Sequence, residues 1–218
     1  MIDESKVQGL LEPFGIRLTN RQMSQMLAYL SLLLHWNQKI NLTAVRTAED
    51  CITRHFGESL FIGRFEDLKG RMLDIGSGAG FPGLALKITF PDLSVTLLEP
   101  VSKKRAFLKE VARRCDMQNV EVRPDRLEEY AQSIVEAPFD FATCRAVGGL
   151  SDLVPRAVKC VKVGGRIFLW LGFGQQRELG GDVSAAAENL RGQVEWRRVA
   201  QIPFSKNREI WRGDVLSR

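Results

Sequence analysis

The chain contains few of the residues that bind metals or form disulfides. Among its 218 residues are two histidines and four cysteines. The cysteines stand far apart, at positions 51, 115, 144 and 160, and no C-x-x-C pair occurs. We therefore expect no zinc site, no other metal site and no disulfide framework.

Long apolar runs are also lacking, so the sequence predicts no membrane-spanning segment. Residues 1–5 have neither the basic nor the apolar region of a signal peptide, and we expect a cytoplasmic protein. With 44% hydrophobic and 26% charged residues, the chain is typical of one α/β domain with a modest extension. The net charge of +5 favours an anionic partner without identifying it.

The most informative segment is 73–83, Leu-Asp-Ile-Gly-Ser-Gly-Ala-Gly-Phe-Pro-Gly. An apolar run breaks into glycines at 76, 78 and 80, and Pro82 then opens a helical segment over residues 83–90. Glycines at alternate positions allow backbone angles forbidden to other residues and let a ligand lie against the main chain. The pattern predicts a strand, a tight loop and a helix that together bind a nucleotide.

The kind of nucleotide depends on the acids around this loop. Gly78, Gly80 and Gly83 satisfy the dinucleotide spacing G-x-G-x-x-G, so an NAD-dependent enzyme is one interpretation. Asp74 argues against it, because a carboxylate repels a pyrophosphate and attracts a sulfonium or ammonium group. No Gly-Lys-Ser/Thr follows, which excludes a P-loop. Together with Glu99, which ends the next predicted strand, the pattern resembles the S-adenosylmethionine site of class I methyltransferases. The predicted cofactor residues here are Asp74, Gly76, Ser77, Gly78 and Glu99.

The two parts of the chain differ in their hydrophobic pattern. Residues 1–66 predict an N-terminal helical extension, with helices at 5–11, 21–40 and 48–65 and with Thr19 or Asn20 capping the second. Residues 67–218 predict alternating strands and helices. The strands are expected at 71–75, 94–99, 120–123, 139–144, 166–171, 194–200 and 208–212, and the helices at 82–90, 102–115, 127–133, 151–162 and 175–190. This order predicts a Rossmann-like, seven-stranded, mostly parallel sheet on which the extension docks.

Further site candidates follow the third and fourth strands. Leu127 is expected to pack on an adenine and Glu128 to face its amino group, although acids also favour a first helical turn. Cys144 suggests a covalent cytosine mechanism, but its usual Pro-Cys context is absent and a buried structural cysteine is favoured. Arg145 is suited to orienting a carboxylate, a phosphate or a guanine edge, with a surface salt bridge as the alternative.

Basic residues concentrate beside these candidates. Lys103, Lys104 and Arg105 begin a cationic stretch that is suited to contacting an RNA backbone, although solvated helix faces also carry such charges. A second basic region includes Arg197, Arg198, Lys206, Arg208 and Arg212. The N-terminal part adds polar residues near the expected cleft, namely Asn41, Thr43, Arg46, Arg54, His55 and Ser59.

Several short segments together resemble the RsmG family, once called glucose-inhibited division protein B. They are Asn-Leu-Thr-Ala-Val-Arg at 41–46, Arg-His at 54–55, Glu-Ser-Leu at 58–60, the loop at 73–83, Lys-Arg at 104–105, Phe-Leu at 107–108, Arg-Leu-Glu-Glu at 126–129 and Arg-Ala at 145–146. The resemblance spans most of the chain. It implies a bacterial enzyme that uses S-adenosylmethionine to methylate N7 of one guanine in the decoding-region loop of 16S rRNA.

The resemblance also implies roles for individual residues. Cofactor contacts are implied at Gly76, Phe81, Glu99, Leu127, Glu128 and Arg145. We expect Arg145, His55 and Asn41 to position the substrate, and Arg46, Arg54, Lys103, Lys104 and Arg105 to bind RNA. The implied partner is 16S rRNA or the small ribosomal subunit, and we expect a monomer. Because guanine N7 has an exposed lone pair, no general base is expected, and catalysis would rest on positioning and electrostatics.

Two departures from the family pattern leave other functions open. Members commonly carry Lys-Gly after the fifth strand, whereas this chain has Trp-Leu-Gly-Phe-Gly at 170–174, and Glu58 stands where Asp is frequent. The alternatives are a methyltransferase that acts on a protein or small molecule, and a non-catalytic RNA-binding assembly factor.

Overall fold

A computed structural model describes residues 2–135, 138–145, 148–172, 174–175 and 192–217. Two helices begin the chain, α1 at Glu4–Leu11 and α2 at Asn20–Asn37. Thr19 caps α2 as one of the two predicted caps, and Gln22 completes a capping box. The helix ends at Asn37, three residues earlier than predicted. The Asn37 side chain instead forms hydrogen bonds with the turn that follows. Its Oδ1 accepts from the backbone N–H groups of Leu42 and Thr43 at 2.9 and 3.0 Å.

The prediction of one continuous helix over 48–65 is wrong, because the segment is helical but irregular. The segment is divided into α3 at Ala48–Cys51, a π-helical turn at Ile52–Gly57, α4 at Glu58–Leu60 and a 3₁₀ turn at Phe61–Arg64. The carbonyl oxygens of Arg54 and His55, inside the π-helical turn, accept hydrogen bonds from Arg145. This contact comes from a residue about 90 positions away, so local periodicity does not reveal it.

The sheet confirms the predicted architecture. Its strands are β1 Arg71–Ile75, β2 Ser94–Leu98, β3 Val120–Arg123, β4 Phe139–Arg145, β5 Val161–Leu171, β6 Val194–Gln201 and β7 Glu209–Val215. Their order is β3-β2-β1-β4-β5-β7-β6, and β7 alone runs antiparallel to its neighbours. The strand order reverses between β1 and β4, where sheets of this kind bind ligands beyond the strand carboxyl ends.

Helices cover both faces of the sheet. The remaining helices are α5 Gly83–Thr89, α6 Ser102–Arg114, α7 Leu127–Ser133 and α8 Leu150–Cys160. One buried apolar cluster joins α1 and α2 to α5 and α6, and a second lies under α7 and α8. The predicted helix at 175–190 lies, beyond Gln175, outside the described residues. Among the helices that are described, none is long and apolar enough to cross a membrane.

Candidate active site

The glycine loop joins β1 to α5 at the reversal point of the sheet. Gly76, Gly78 and Gly80 have φ angles of +68°, +57° and +89°, a region that L side chains rarely adopt. Ser77 fixes the loop from below, since its N–H donates to Leu98 O at 3.0 Å and its hydroxyl to Asp74 O at 3.1 Å. The loop is therefore held in one conformation by the strands beneath it.

Glu99 follows β2 and connects this loop to the next one. Its Oε2 accepts from the N–H of Gly78 at 2.9 Å, and its Oε1 accepts from the N–H of Val101 at 2.8 Å. The residue is only 4% exposed. Each carboxylate oxygen can accept a second hydrogen bond, so the group remains able to bind vicinal hydroxyls. Arg105 supports the same turn, because its guanidinium donates to the carbonyls of Glu99 and Pro100.

A cavity of about 330 Å³ opens beside the loop. Its apolar walls include Ile75, Leu98 and Leu127, and Asp125 and Glu128 supply carboxylates at its edge. The backbone of Gly76 completes the wall. An apolar cavity with acceptors at its edge suits an adenine ring and its amino group. Three of the predicted cofactor residues, Gly76, Leu127 and Glu128, therefore line one cavity.

Asp74 lies beneath the glycine loop and is fully buried. The Thr143 hydroxyl donates to its Oδ1 at 2.8 Å. Its Oδ2 lies against Gly83, where an added Cβ would approach this oxygen to 2.6 Å and Leu97 to 2.7 Å. Burial raises the pKa of Asp74 to about 6, although the Thr143 hydroxyl bond opposes the shift. Its expected cofactor contact stays a prediction, while its structural contact with α5 explains why position 83 is glycine.

An aromatic stack connects the N-terminal extension to the loop. The Phe81 ring lies between Tyr29 of α2, with centroids 5.1 Å apart and planes 7° apart, and His55, with centroids 4.8 Å and planes 19° apart. The Tyr29 hydroxyl donates a short hydrogen bond to Ala79 O. The Phe81 side chain is thus buried among rings, and its implied cofactor contact stays a prediction.

We expect Tyr29→Phe to weaken cofactor binding without abolishing the fold. The variant keeps the stack on Phe81 but leaves the buried Ala79 carbonyl without its donor, which costs about 1–3 kcal/mol of unfolding free energy. Calorimetric titration with S-adenosylhomocysteine should show a several-fold higher Kd, and Tyr130→Phe provides the control on α7. An unchanged Kd in Tyr29→Phe would contradict this role.

His55 is bonded through both ring nitrogens. Its Nε2 lies 2.7 Å from Thr43 Oγ1, and its Nδ1 lies 3.4 Å from an Nη of Arg145. Because a guanidinium only donates, Nδ1 accepts and the proton is on Nε2. Burial lowers the pKa of His55 to about 3, and the charges of Arg145, Arg54 and Arg208 add to the effect. His55 is therefore neutral near pH 7, and its expected role in positioning the substrate stays a prediction.

The neutral state of His55 is directly measurable. Its folded pKa lies below the usual 6.5 of a histidine, so protonation is disfavoured in the fold and would become appreciable only well below pH 6. We expect ¹⁵N NMR spectra to show the Nε2–H tautomer unchanged from pH 5.5 to 8, with His35→Gln used to assign the two histidines. A midpoint between pH 6 and 7 would contradict the assignment.

Arg145 ends β4 and binds the N-terminal segment. Its guanidinium donates to His55 O at 3.3 Å, to Ser59 Oγ at 3.1 Å and to Arg54 O. It also pairs with Glu58 Oε2 at 3.2 Å. Burial lowers the pKa of the Arg145 guanidinium, and Glu58 opposes that shift. The expected direct contact of Arg145 with guanine or cofactor stays a prediction.

Glu58 is the centre of a charge cluster that the sequence did not identify as a site. Its Oε1 pairs at 2.7 Å with Arg208, the last residue of the turn between β6 and β7, and its backbone oxygen accepts from Trp170 Nε1 at 2.8 Å. Burial raises the pKa of Glu58, and the positive charges of Arg145 and Arg208 oppose this. The cluster joins the N-terminal segment to the ends of β4, β5 and β6. Glu58, Arg145, Trp170 and Arg208 line a second cavity of about 190 Å³.

The predicted RNA-binding residues differ in exposure. Arg54 and Lys103 are exposed, and Lys104 is half-buried. Arg46 is exposed but donates to Asn37 O at 3.2 Å and to Asn41 Oδ1 at 3.5 Å, which places Asn41 beside it. Arg105 is half-buried and holds the turn after β2. The RNA contacts of these residues stay predictions.

The remaining candidates fit structural roles. Cys144 is buried, and burial raises the pKa of its thiol far above the range of a reactive thiolate. In the described part of the chain, no group of three or more His, Cys, Asp or Glu side chains is arranged to hold a metal ion.

Known proteins resemble this chain in sequence and in fold. The family model described as "rRNA small subunit methyltransferase G" matches residues 22–197. The chain belongs to the rRNA small subunit methyltransferase G family. Relatives named ribosomal RNA small subunit methyltransferase G include those of Alkaliphilus oremlandii, 38% identical over 88% of this chain and 81% of the relative, and Leuconostoc mesenteroides, 36% identical over 96% and 89%.

Solved structures support the fold of this methyltransferase G family member. A putative O-methyltransferase from Klebsiella pneumoniae aligns with a TM-score of 0.58 at 15% identity, covering 87% of this chain and 90% of that one. An rRNA methylase from Streptococcus thermophilus aligns with a TM-score of 0.51 at 14% identity, covering 73% and 94%. Membership in the family identifies an rRNA methyltransferase with S-adenosylmethionine as its methyl donor.

Proposed function

We propose that the chain transfers a methyl group from S-adenosylmethionine to N7 of a guanine in the decoding-region loop of 16S rRNA. The proposal rests on two features that lie side by side at one edge of the sheet, a cavity and a cluster of side chains. One is the cavity beside the glycine loop and Glu99. The other is the adjoining cluster of Arg145, His55 and Glu58. Family membership supplies the rRNA substrate.

The residues of the first cavity fit the cofactor. When bound, S-adenosylmethionine supplies an electrophilic methyl group on a positively charged sulfur. Leu127 and Leu98 would hold the adenine between apolar surfaces, and Glu128 would accept from its amino group. Glu99 would bind the ribose hydroxyls with its remaining acceptor capacity. Gly76, Ser77 and Gly78 would let the chain approach the cofactor closely.

The cluster of Arg145, His55 and Glu58 fits a methyl acceptor that need not lose a proton before it reacts. His55 is neutral and has both nitrogens engaged, and the Cys144 thiol is held in its protonated form by burial. Neither group is arranged as a general base. Guanine N7 meets this requirement because its lone pair is free at the base edge. The protein would then contribute orientation and a suitable electrostatic field.

Exposed cations would hold the RNA. Arg54 and Lys103 project into solvent, and no described side chain forms an ion pair with either. Arg46 and Lys104 would add to them, and Asn41 would contribute through its contact with Arg46. Phosphate contacts of this kind make binding depend on salt.

We further propose that residues 1–66 form a helical extension docked on a methyltransferase domain of residues 67–218. The apolar cluster that joins α1 and α2 to α5 and α6 supports this division. We propose a cytoplasmic monomer of 24.6 kDa. Light scattering after gel filtration tests the mass, and fluorescence of a tagged chain in cells tests the location.

The substrate is tested with labelled S-adenosylmethionine. The protein is incubated with unmethylated small ribosomal subunits, with free 16S rRNA, with 23S rRNA and with ribosomal protein. Label is expected in small-subunit RNA alone, with transfer falling steeply as salt rises. Label in protein would favour a protein methyltransferase, and RNA binding without transfer would favour an assembly factor.

A further inference from the structure

The turn between β6 and β7 exposes an aromatic ring, Phe204, and one cation, Lys206, to solvent. Its residues 202–208 are Ile-Pro-Phe-Ser-Lys-Asn-Arg, with two cations and no acid. Phe204 is 79% exposed, unusually open for a phenylalanine. Its ring and that of buried Phe14 form a T-shaped contact, with centroids 6.0 Å apart and planes at 70°. Most of the ring surface therefore remains available to a ligand.

The sheet topology places this turn at the candidate active site. β6 runs parallel to β5, since both pair antiparallel with β7. The turn after β6 thus leaves the sheet at the same edge as the ends of β4 and β5. The flanking residues Ile202 and Arg208 both line the 190 Å³ cavity, and Arg208 pairs with Glu58 there.

Hydrogen bonds within the turn hold Phe204 in an uncommon conformation. The N–H of Ile202 donates to Arg208 O at 3.0 Å, and the N–H of Ser205 donates to Ile202 O at 3.2 Å. Arg208 Nε also donates to Ser205 Oγ at 3.1 Å. Within this frame Phe204 has a φ of +60°, which is rare for a bulky residue and occurs most often at functional sites.

We propose that the Phe204 turn is an RNA-binding surface, on which an unpaired base next to the target guanine stacks on Phe204 while Lys206 contacts a phosphate. The inference rests on the proposed function, and it gives the rRNA substrate a second region of contact with the protein. Sequence-tolerant stacking on an aromatic ring beside a cation is how proteins hold single-stranded nucleic acid. An ordered turn loses little conformational freedom on binding, so the contact contributes to affinity.

The test measures RNA binding and transfer separately. Phe204→Leu keeps an apolar side chain against Phe14 but removes the aromatic face on which a base could stack. Phe204→Trp retains an aromatic face. We expect Phe204→Leu to raise the Kd for an unmethylated 16S rRNA transcript, and the KM for small subunits, about tenfold. Phe204→Trp should stay near wild type. The Kd for S-adenosylhomocysteine should be unchanged in both variants.

Phe65→Leu is a matched control. Phe65 is 47% exposed and also contacts one buried ring, that of Phe61. Its neighbour Glu66 pairs with Arg166, the middle residue of β5, and not with a residue at the strand end that faces the active edge. Phe65→Leu is expected to bind RNA like wild type.

The charge of the turn is tested by salt dependence. Lys206→Ala should reduce the slope of log K against log salt by about one, and Lys159→Ala, in the last turn of α8, should leave it unchanged. RNA binding of Phe204→Leu within twofold of wild type would overturn the proposal. Equal losses in Phe204→Leu and Phe204→Trp, or a parallel loss of S-adenosylhomocysteine binding, would overturn it too. If the wild type binds RNA through Phe204 but transfers no methyl group, the proposed function fails while this surface stands.

Discussion

Arg145→Ala is expected to reduce methyl transfer to small-subunit RNA by a factor of about 100 or more. The guanidinium holds the carbonyls of Arg54 and His55 and pairs with Glu58, so its loss releases the segment that we propose positions the guanine. A misplacement of about 1 Å at a reacting centre can cost this much in rate. The variant also leaves Glu58, which is 2% exposed, with Arg208 as its remaining cationic partner. We expect the unfolding free energy to fall by about 3 kcal/mol.

Two further variants separate positioning from folding. Arg145→Lys keeps the charge but lacks the planar fork, so it should fold and still lose most of the activity. Arg21→Ala removes a solvent-exposed ion pair with Asp116 and should behave as wild type. Initial rates with small subunits are measured next to thermal unfolding. A folded Arg145→Lys protein with wild-type kcat and KM would remove Arg145 from the site.

Glu99→Gln is expected to raise the Kd for S-adenosylmethionine about 100-fold. The carboxylate accepts from the N–H groups of Gly78 and Val101, and an amide has only one oxygen for these two donors. The variant therefore loses one of these two bonds and one acceptor for the ribose hydroxyls. Hydrogen bonds to a charged group contribute about 1.5–3 kcal/mol each.

Calorimetric titration measures the effect of Glu99→Gln on the free protein. Glu121→Gln, an exposed acid on the adjacent strand β3, is the matched control and should retain the wild-type Kd. If Glu99→Gln bound the cofactor within threefold of wild type, Glu99 would not be a cofactor ligand.

The cofactor side of the site was largely predictable from sequence, because its determinants are local. The alternate glycines require positive φ angles, and the structure has them at Gly76, Gly78 and Gly80. The apolar run of the second predicted strand ends just before Glu99, which placed this residue at the end of β2, next to the loop. Parallel strands bring their carboxyl ends to one edge, so Leu127 and Glu128 meet Gly76 in one cavity.

The substrate side was less predictable, because it depends on contacts between distant segments. Tyr29 has the pattern of a core residue in α2, and only the fold shows its hydroxyl bonded to the glycine loop. Arg208 belonged to an expected basic surface, yet it pairs with buried Glu58. Trp170 lies in the segment that lacks the Lys-Gly common in the family, and its ring N–H donates to the backbone oxygen of Glu58. The Glu at 58 was the one local clue to this cluster.

The extension also organises the residues that the sequence singled out. Asn37 shapes the Asn-Leu-Thr turn, Thr43 binds His55, and His55 stacks on Phe81 of the glycine loop. A continuous series of contacts thus connects the proposed RNA-binding segment to the proposed cofactor site.

Chemical mapping of N7-methylguanosine in 16S rRNA tests the proposed reaction most directly. Small subunits from cells that lack this enzyme are treated with the purified protein and S-adenosylmethionine, and the RNA is then cleaved at N7-methylated guanines and mapped by primer extension. We expect one new cleavage, in the decoding-region loop, which is absent with Arg145→Ala. Methylation at another atom or in another region, or none with folded wild-type protein, would contradict the proposed function.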